Sequence, residues 1–369
     1  MNNLNNHVTI LEIDAKSIAH NLAYFKQKLN PETKILAVVK AFGYGSESTE
    51  IAKLLQDKVD YFAVAYCNEG IILREAGIKT PILVLHPQLQ NLEEIAKYRL
   101  EPNLYNFKIF DAFLALADKK PLMNYPIHIK FNTGLNRLGF WHTDTPKLIS
   151  ELKKSNNVHV ESIFSHLAAS EDPNEQEFTI GQINNFAYIV KQIYGHLGYK
   201  PMIHILNTSG VINYPQAQFD MVRIGIGLYG FGNNKQETSQ LKNTHTLKSL
   251  ISQINIIKPG ETVGYNRAFV ASKPTRSATV PIGHADGISR KLGKKEGVVF
   301  INNKPAPIIG NVCMDMIMVD VTNIDCNEGD EVIIFNHQQH VLYMAHKCET
   351  IPYETLTAIS QRVKRVVKH

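Results

Sequence analysis

The chain has 369 residues, a formal net charge of +5, 44% hydrophobic residues and 20% charged residues. This length accommodates one large domain and a smaller one, and the composition is that of a soluble globular protein. We expect neither nucleic acid nor a membrane as a partner, because no basic stripe is interleaved with aromatic residues and no apolar run reaches membrane-spanning length. The polar segment 1–7 does not resemble a signal peptide, and the four cysteines lack CxxC spacing, so we expect a cytoplasmic protein without a metal site or a disulfide framework.

The N-terminal half alternates between strand-like and helix-like segments. A strand is predicted at 7–13, and Asp14 is a suitable N-cap for the helix that follows it. Short apolar runs then recur eight times, at 35–40, 61–66, 81–86, 100–105, 127–132, 160–166, 202–207 and 221–226. Segments with helical periodicity separate them, and eight such units within about 200–250 residues predict an α/β fold of the (β/α)8 TIM barrel type. Pro102 interrupts the fourth run, which is unusual for a central strand.

The pattern changes after about Gly232. The segment 233–245 is polar and resembles a linker, and short strands between Gly, Pro and Asn turns follow it. The predicted strands cover 249–257, 276–282, 297–301, 306–312, 315–322 and 330–335, and a helix over 353–362 closes the pattern. We therefore assign residues 8–232 to the barrel and 233–369 to a C-terminal all-β domain, which the strand at 7–13 is a candidate to join.

Lys40 stands at the end of the first barrel strand, directly before a turn that contains Gly43 and Gly45. Burial of an amine lowers its pKa and favours the neutral form that makes Schiff bases with aldehydes. A lysine that simply extends from a strand end into solvent is the alternative interpretation.

Active sites of barrels form at the C-terminal ends of the strands. Polar residues at these ends are Lys40, Tyr44, Lys130, Arg137, His166, His204, Asn207, Thr208 and Arg223. Each has a structural explanation on its own, but together they predict a site that holds an anion.

The segment Gly225–Gly230 has the spacing G-x-G-x-x-G. A dinucleotide-binding turn of this kind opens a helix and is followed about 20 residues later by an acidic residue. Here the segment leads into Phe231–Asn234, which does not begin an amphipathic helix, so this context argues against the dinucleotide interpretation. A phosphate site after the last strands of a barrel remains the favoured interpretation.

Twelve short motifs along the chain match one family. They are Ala37-Val-Val-Lys40-Ala41 with Tyr44-Gly45, Phe62-Ala-Val-Ala65, Leu73-Arg-Glu-Ala-Gly77, His128-Ile-Lys130, Thr133-Gly134, Arg137-Leu-Gly139, Ser165-His166, His204 with Asn207, Val222-Arg223 with Gly225, Val263-Gly-Tyr265, Val312-Cys-Met-Asp315 and Thr350-Ile-Pro-Tyr353. In this order they resemble alanine racemase over nearly the whole chain. The resemblance implies a barrel that binds pyridoxal 5′-phosphate, a β domain after it, and a head-to-tail homodimer with active sites shared between subunits.

The resemblance also implies roles for single residues around the cofactor. Lys40 would bind the cofactor covalently, and Arg223 would face the pyridine nitrogen. His166 would stand beside Arg223, with His204 and Asn207 in support. The groups that would hold the phosphate are Tyr44, Thr208, the backbone amides of Gly225 and Ile226, and Tyr353.

Two bases on opposite sides of the substrate are implied as well. Lys40 would act on the D isomer and Tyr265 on the L isomer. Arg137, near the cofactor's phenolic oxygen, would be held by Lys130, which is carbamylated in some relatives. The residues implied to bind the substrate are Arg137, Met314 and Asp315; the last two and Tyr265 would come from the other subunit. The expected reaction is interconversion of L-alanine and D-alanine, which supplies D-alanine for peptidoglycan.

Three other functions stay open at this point. A racemase of the same fold that acts on serine, lysine or several amino acids is the nearest, since His284 and Asn311 depart from the usual residues at the substrate entrance. A related barrel decarboxylase would carry an acidic residue where Arg223 stands. A non-enzymatic, cofactor-carrying barrel would lack the β domain and Tyr265.

Overall fold

The computed structural model describes residues 7–120, 122–232 and 234–369; most of the polar N-terminal segment and Asn233 lie outside the described residues. The strands are β1 Ile10–Asp14, β2 Lys34–Val38, β3 Tyr61–Val64, β4 Ile82–Val84, β5 Glu101–Leu104, β6 Tyr125–Lys130, β7 Val158–Phe164, β8 Met202–His204, β9 Met221–Ile224, β10 His245–Leu250, β11 Gln253–Ile257, β12 Thr262–Val263, β13 Phe269–Val270, β14 Thr275–Val280, β15 Val298–Ile301, β16 Lys304–Ile309, β17 Ile317–Asp320, β18 Glu331–Phe335 and β19 Lys364–Lys368. The helices are α1 Ala15–Lys26, α2 Lys40–Tyr44, α3 Ser48–Leu55, α4 Cys67–Glu75, α5 Leu92–Lys97, α6 Phe107–Lys119, α7 Thr145–Leu152, α8 Gln176–Leu197, α9 Thr208–Asn213, α10 Lys235–Gln240, α11 Gln338–Lys347 and α12 Pro352–Thr357.

Strands β2 to β9 form one parallel sheet in the order β8-β7-β6-β5-β4-β3-β2-β9. The Asp220 N–H donates to the Ile203 carbonyl (3.1 Å), and the Arg223 N–H donates to the Leu206 carbonyl (3.0 Å). These bonds join the two edge strands and close the sheet into a barrel. All eight predicted runs are strands of this sheet, which confirms the predicted α/β barrel.

Strand β5 forms in spite of its proline. It pairs with β4 through Glu101 and Pro102, and with β6 through Asn103 and Leu104. The residues of β3 and β4 are buried throughout, as expected for strands covered on both faces.

The second sheet has nine strands in the order β11-β14-β17-β16-β15-β18-β10-β1-β19. Apart from β1 all of its strands come from the C-terminal part of the chain. Strand β1 pairs antiparallel with β10 and parallel with β19, so the first and last strands of the described chain are neighbours. The predicted C-terminal β architecture is confirmed.

Several predicted boundaries in this region were wrong. The strand predicted at 249–257 is two strands, because the chain changes partners at Ile251 and Ser252, whose N–H groups donate to Asp330 and Thr279 respectively. Helix α12 ends at Thr357, and β19 and α11 were not predicted. The segment expected to be a linker contains α10. None of the described helices is long and apolar enough to cross a membrane.

Candidate active site

A cavity of about 580 Å³ opens at the C-terminal ends of the barrel strands. Most of the site residues predicted from sequence line it: Lys40, Tyr44, Lys130, Arg137, His166, Asn207, Thr208, Arg223, Gly225, Ile226 and Tyr353. The structure therefore brings together residues that are up to 313 positions apart in the chain, the separation of Lys40 and Tyr353. His204 does not line the cavity; it lies behind Arg223 and contacts its guanidinium.

Helix α2, which carries Lys40, is a left-handed turn. Ala41, Phe42, Gly43 and Tyr44 all have φ between 52° and 63°. A left-handed conformation costs roughly 1–2 kcal/mol for each residue that has a Cβ atom, so the surroundings must hold this turn in place. The turn brings the side chains of Lys40 and Tyr44 to one cavity.

Glu69, on α4, holds the turn through its carboxylate. One oxygen accepts the N–H of Ala41 (2.7 Å), and the other accepts the N–H groups of Ala65 (2.6 Å) and Tyr66 (3.1 Å). The carboxylate thus connects the loop after β2 to the loop after β3. Hydrogen bonds of this kind to a charged acceptor are roughly twice as strong as neutral ones.

Tyr44, Thr208 and the turn that begins at Gly225 form one corner of the cavity. The Thr208 hydroxyl accepts the N–H of Gly225 (3.1 Å) and of Gly227 (3.4 Å). The ring of Tyr44 stacks on Tyr229 with centroids 4.6 Å apart. A Cβ atom at Gly225 would meet the Tyr44 hydroxyl at 2.5 Å, so the close approach of this turn requires glycine.

The Arg223 guanidinium is buried and makes hydrogen bonds through both terminal nitrogens. Nη1 donates to His204 Nδ1 (2.6 Å), and Nη2 donates to His166 Nδ1 (3.0 Å) and to the carbonyls of Ser165 and Ile205 (both 2.8 Å). Because arginine only donates, both imidazoles accept through Nδ1 and carry their proton on Nε2. Burial, followed by the charge of Arg223, holds the pKa of His166 and of His204 well below the usual value, so both rings are neutral.

Two lysines and two arginines line the cavity: Lys40, Lys130, Arg137 and Arg223. Burial, followed by Arg137 and Arg223, lowers the pKa of Lys130 to about 7. Burial and then Arg137 also lower the pKa of Lys40, which Glu69 partly offsets. The lowered pKa values favour the neutral, nucleophilic form of both amines, and the two arginines favour an anionic ligand.

The structure does not bring Tyr265, Met314 and Asp315 to this cavity. Tyr265 is 71% exposed and Met314 is 58% exposed on the surface of the β domain. Asp315 pairs with Arg362 there (2.7 Å), and Asn311 donates to the Tyr265 carbonyl (3.0 Å). Tyr265, Met314 and Asp315 are therefore exposed on the same chain and lie outside this cavity.

Sequence reasoning missed Tyr66 and His86, which also line the cavity. Their rings lie 5.6 Å apart. Both follow barrel strands, since β3 ends two residues before Tyr66 and β4 ends two residues before His86. The rule that selected Lys40 could have selected them. Glu69 lies outside that rule, because it sits on a helix and acts on backbone groups.

Comparison with known proteins gives matches over both parts of the chain. Residues 13–232 match the family model described as the N-terminal domain of alanine racemase, and residues 244–367 match that of its C-terminal domain. The chain is 39% identical to the alanine racemase of Fusobacterium nucleatum, over 97% of this chain and 99% of that protein. It is 35% identical to that of Carboxydothermus hydrogenoformans, over 96% and 98% of the two chains.

Solved structures give the same result. The alanine racemase of Clostridium difficile 630 has a TM-score of 0.92 at 32% identity, with 98% of this chain and 96% of that chain covered. The alanine racemase of Bartonella henselae, solved with covalently bound pyridoxal phosphate, has a TM-score of 0.88 at 30% identity, with 98% and 99% covered. Because the two family models together match residues 13–232 and 244–367, this chain belongs to the alanine racemase family.

Proposed function

We propose that this protein is a pyridoxal-phosphate-dependent alanine racemase that interconverts L-alanine and D-alanine. The observation that carries the proposal is the cavity itself, in which Lys40 with its lowered pKa and the buried Arg223 line one space at the barrel mouth. Relatives add support. The Bartonella henselae enzyme holds pyridoxal phosphate covalently, and the Clostridium difficile enzyme has been solved in complex with cycloserine.

The cavity residues fit this cofactor. Glycine at 225 lets the Tyr44 hydroxyl approach the turn closely, and the hydroxyls of Tyr44 and Thr208 lie in the corner of the cavity where they would hold a phosphate group. Burial raises the pKa of Tyr44 and raises that of Tyr353 to about 12, so both remain hydrogen-bond donors. Lys40 would bind the cofactor's aldehyde through its neutral amine. The bound cofactor withdraws electrons from the substrate and so acidifies its Cα proton.

Arg223 would face the cofactor's ring nitrogen. Burial lowers its pKa to about 9, which still leaves it protonated at neutral pH. A guanidinium that keeps its protons does not protonate the ring. This arrangement favours return of the proton to Cα over side reactions.

Two bases would move that proton: Lys40 on the face of the D isomer and Tyr265 of a second subunit on the face of the L isomer. Support comes from the exposure of Tyr265, which lies outside its own chain's cavity. Met314 and its neighbour in sequence, Asp315, lie outside that cavity as well. His166 uses Nδ1 to accept from Arg223, so its Nε2–H is available to stabilise a tyrosinate. We therefore propose a homodimer in which each site combines residues of both chains.

The charge of Arg137 helps to lower the pKa of Lys130, so a protonated Lys130 would repel Arg137 instead of holding it. We propose that Lys130 reacts with carbon dioxide through its neutral amine, forming an N–C bond and releasing one proton. The resulting carbamate anion would pair with Arg137.

The wider context follows the same resemblance. We propose that the enzyme acts in the cytoplasm and supplies D-alanine for peptidoglycan, with the barrel at 8–232 and the β domain at 233–369. A broader racemase is the second candidate. The matched relatives are named as alanine racemases and do not favour it.

The test is incubation of the purified holoenzyme with L-alanine or D-alanine in D2O. We expect the opposite isomer to appear together with deuterium at Cα, and borohydride to attach the cofactor irreversibly to Lys40. A lack of deuterium exchange from both isomers contradicts the proposal. Equal or faster turnover of serine or lysine would favour the broader racemase.

A further inference from the structure

A continuous chain of hydrogen bonds crosses the interior of the barrel and ends at Arg223. Glu101 Oε2 lies 2.7 Å from His128 Nε2, and His128 Nδ1 lies 2.6 Å from Ser162 Oγ. Ser162 Oγ lies 2.9 Å from His204 Nε2, and His204 Nδ1 lies 2.6 Å from Arg223 Nη1. Each member comes from the next strand of the barrel, from β5 to β9.

The five residues of this chain of hydrogen bonds, which we call the relay, are all buried. His128, Ser162 and His204 have no exposed surface, and Arg223 and Glu101 are 4% and 8% exposed. Glu101 is the first residue of β5, so it lies at the N-terminal end of the barrel, opposite the cavity. The relay therefore connects the floor of the barrel with the active site.

The two ends set the direction of every bond in the relay when each imidazole carries one proton. Arginine can only donate and a carboxylate can only accept. His204 must therefore accept from Arg223 and donate to Ser162, which donates to His128, which donates to Glu101. The aligned bonds direct lone pairs toward the guanidinium and N–H or O–H groups toward the carboxylate, so each end stabilises the charge of the other.

Arg223 has no direct ion pair with any described acidic residue; its partners are two neutral imidazoles and backbone carbonyls. A buried charge without a counter-charge is strongly destabilising. Arg74 also acts electrostatically on Glu101, but its guanidinium donates to four backbone carbonyls and makes no hydrogen bond to this carboxylate. Glu101 is the carboxylate to which hydrogen bonds connect Arg223.

We propose that Glu101 is the remote counter-charge and positioning residue of Arg223, and that it acts through His128, Ser162 and His204. Glu101 holds His204 in the orientation that accepts from Nη1, and it stabilises the positive charge of the guanidinium. The carboxylate touches neither substrate nor cofactor. Its catalytic effect rests on the proposed function, whereas its effect on His204 does not.

Two substitutions separate the parts of the relay. Glu101→Gln keeps the acceptor oxygen and removes the charge, and Ser162→Ala keeps the charge and removes the link. Ser277→Ala is the matched control, because Ser277 is 2% exposed in β14, outside the barrel. Far-UV circular dichroism and cofactor content show that each variant is folded and loaded. If Ser162→Ala does not fold, Glu101→Asp replaces it, since its shorter side chain keeps the charge but loses contact with His128.

The kinetic readout is the racemisation of alanine. We expect Glu101→Gln and Ser162→Ala each to lower kcat about tenfold and to leave KM within about twofold, whereas Ser277→Ala should change neither. In the first two variants a hydrogen bond to a charged group is lost or weakened while the substrate contacts remain. The double variant should also lose about tenfold, since both changes interrupt one pathway. Multiplied losses in the double variant, or a kcat near the wild-type value in Glu101→Gln, would overturn the proposal.

The structural readout is the ¹⁵N spectrum of the histidine rings in the labelled holoenzyme. His204 should appear neutral with its proton on Nε2, and its nitrogen signals should shift in Glu101→Gln although residues 101 and 204 do not touch. They should not shift in Ser277→Ala. Unchanged His204 signals in Glu101→Gln would refute the relay whatever reaction the enzyme catalyses, whereas shifted signals in a protein that does not racemise alanine would refute the proposed function alone.

Discussion

Tyr44 is buried beside the turn at Gly225, and its raised pKa keeps the hydroxyl protonated. In the proposed site this hydroxyl donates to the cofactor's phosphate. We predict that Tyr44→Phe weakens cofactor binding about tenfold, since it removes one hydrogen bond to a charged group. Absorbance titration of the apoprotein with pyridoxal phosphate measures this affinity.

Tyr229→Phe is the control for this change. Tyr229 stacks on Tyr44, but its hydroxyl donates to the Val38 carbonyl (3.3 Å) instead of pointing into the cavity. Its removal should leave the affinity unchanged. Equal affinities of the wild type and Tyr44→Phe would show that the phosphate lies elsewhere.

Single residues of the site could be predicted from sequence where their chemical type was unusual for their position. A lysine and an arginine at the ends of buried strands, Lys40 and Arg223, are conspicuous against apolar neighbours. Glu101 and Ser162 were not, because a polar residue pointing into a barrel looks the same in sequence whether or not it has a partner. Their roles follow only from the register of neighbouring strands.

At the scale of elements, helix α2 depends on Glu69. Its carboxylate accepts from Ala41, Ala65 and Tyr66 and so holds a turn with an unfavourable conformation. We predict that Glu69→Ala opens this turn and speeds hydrogen exchange of the Ala41 amide at least about tenfold. Mass spectrometry of peptides that cover 40–46 measures the exchange.

Glu75→Ala is the matched control, since Glu75 ends the same helix and is exposed. Its removal should leave exchange in 40–46 unchanged. Wild-type exchange rates in Glu69→Ala would show that the left-handed turn is held by its own backbone bonds.

The regular elements of the barrel could be predicted because buried parallel strands are apolar throughout. Their alternation with helices also recurs often enough for the number of units to be counted in the sequence. The left-handed conformation of α2 could not, since Ala41, Phe42 and Tyr44 do not favour it locally. It arises from tertiary contacts such as that of Glu69. Strand β19 was missed for a similar reason: its sequence Lys-Arg-Val-Val-Lys becomes a strand by pairing with β1.

At the scale of the whole molecule, buried histidines make the fold sensitive to acid. Burial holds the pKa of His166 and His204 well below the usual value and lowers that of His245 to about 3. The unfolded chain therefore binds more protons than the folded chain below about pH 6.5, so stability falls as the pH falls. Each such histidine lowers the free energy of unfolding by up to about 1.4 kcal/mol for every pH unit by which the pH falls.

Urea unfolding between pH 5 and 8, at roughly the range where histidine titrates, measures this slope. The free energy of unfolding should decline as the pH falls below about 6.5, and above pH 7 the lowered pKa of Lys130 should still make it rise with pH. His245→Asn should decline less steeply than the wild type. A stability that rises as the pH falls would contradict the assignment of these rings as neutral.

The arrangement of the site across two chains is the central claim, because Lys40 and Tyr265 of one chain do not share a cavity. Lys40→Ala and Tyr265→Ala should each inactivate the homodimer. A heterodimer of the two variants has one site with both residues intact and one with neither. Such a heterodimer, isolated with two affinity tags, should recover about half of the wild-type activity. A heterodimer without activity would show that both residues must come from the same chain, and would contradict the shared site.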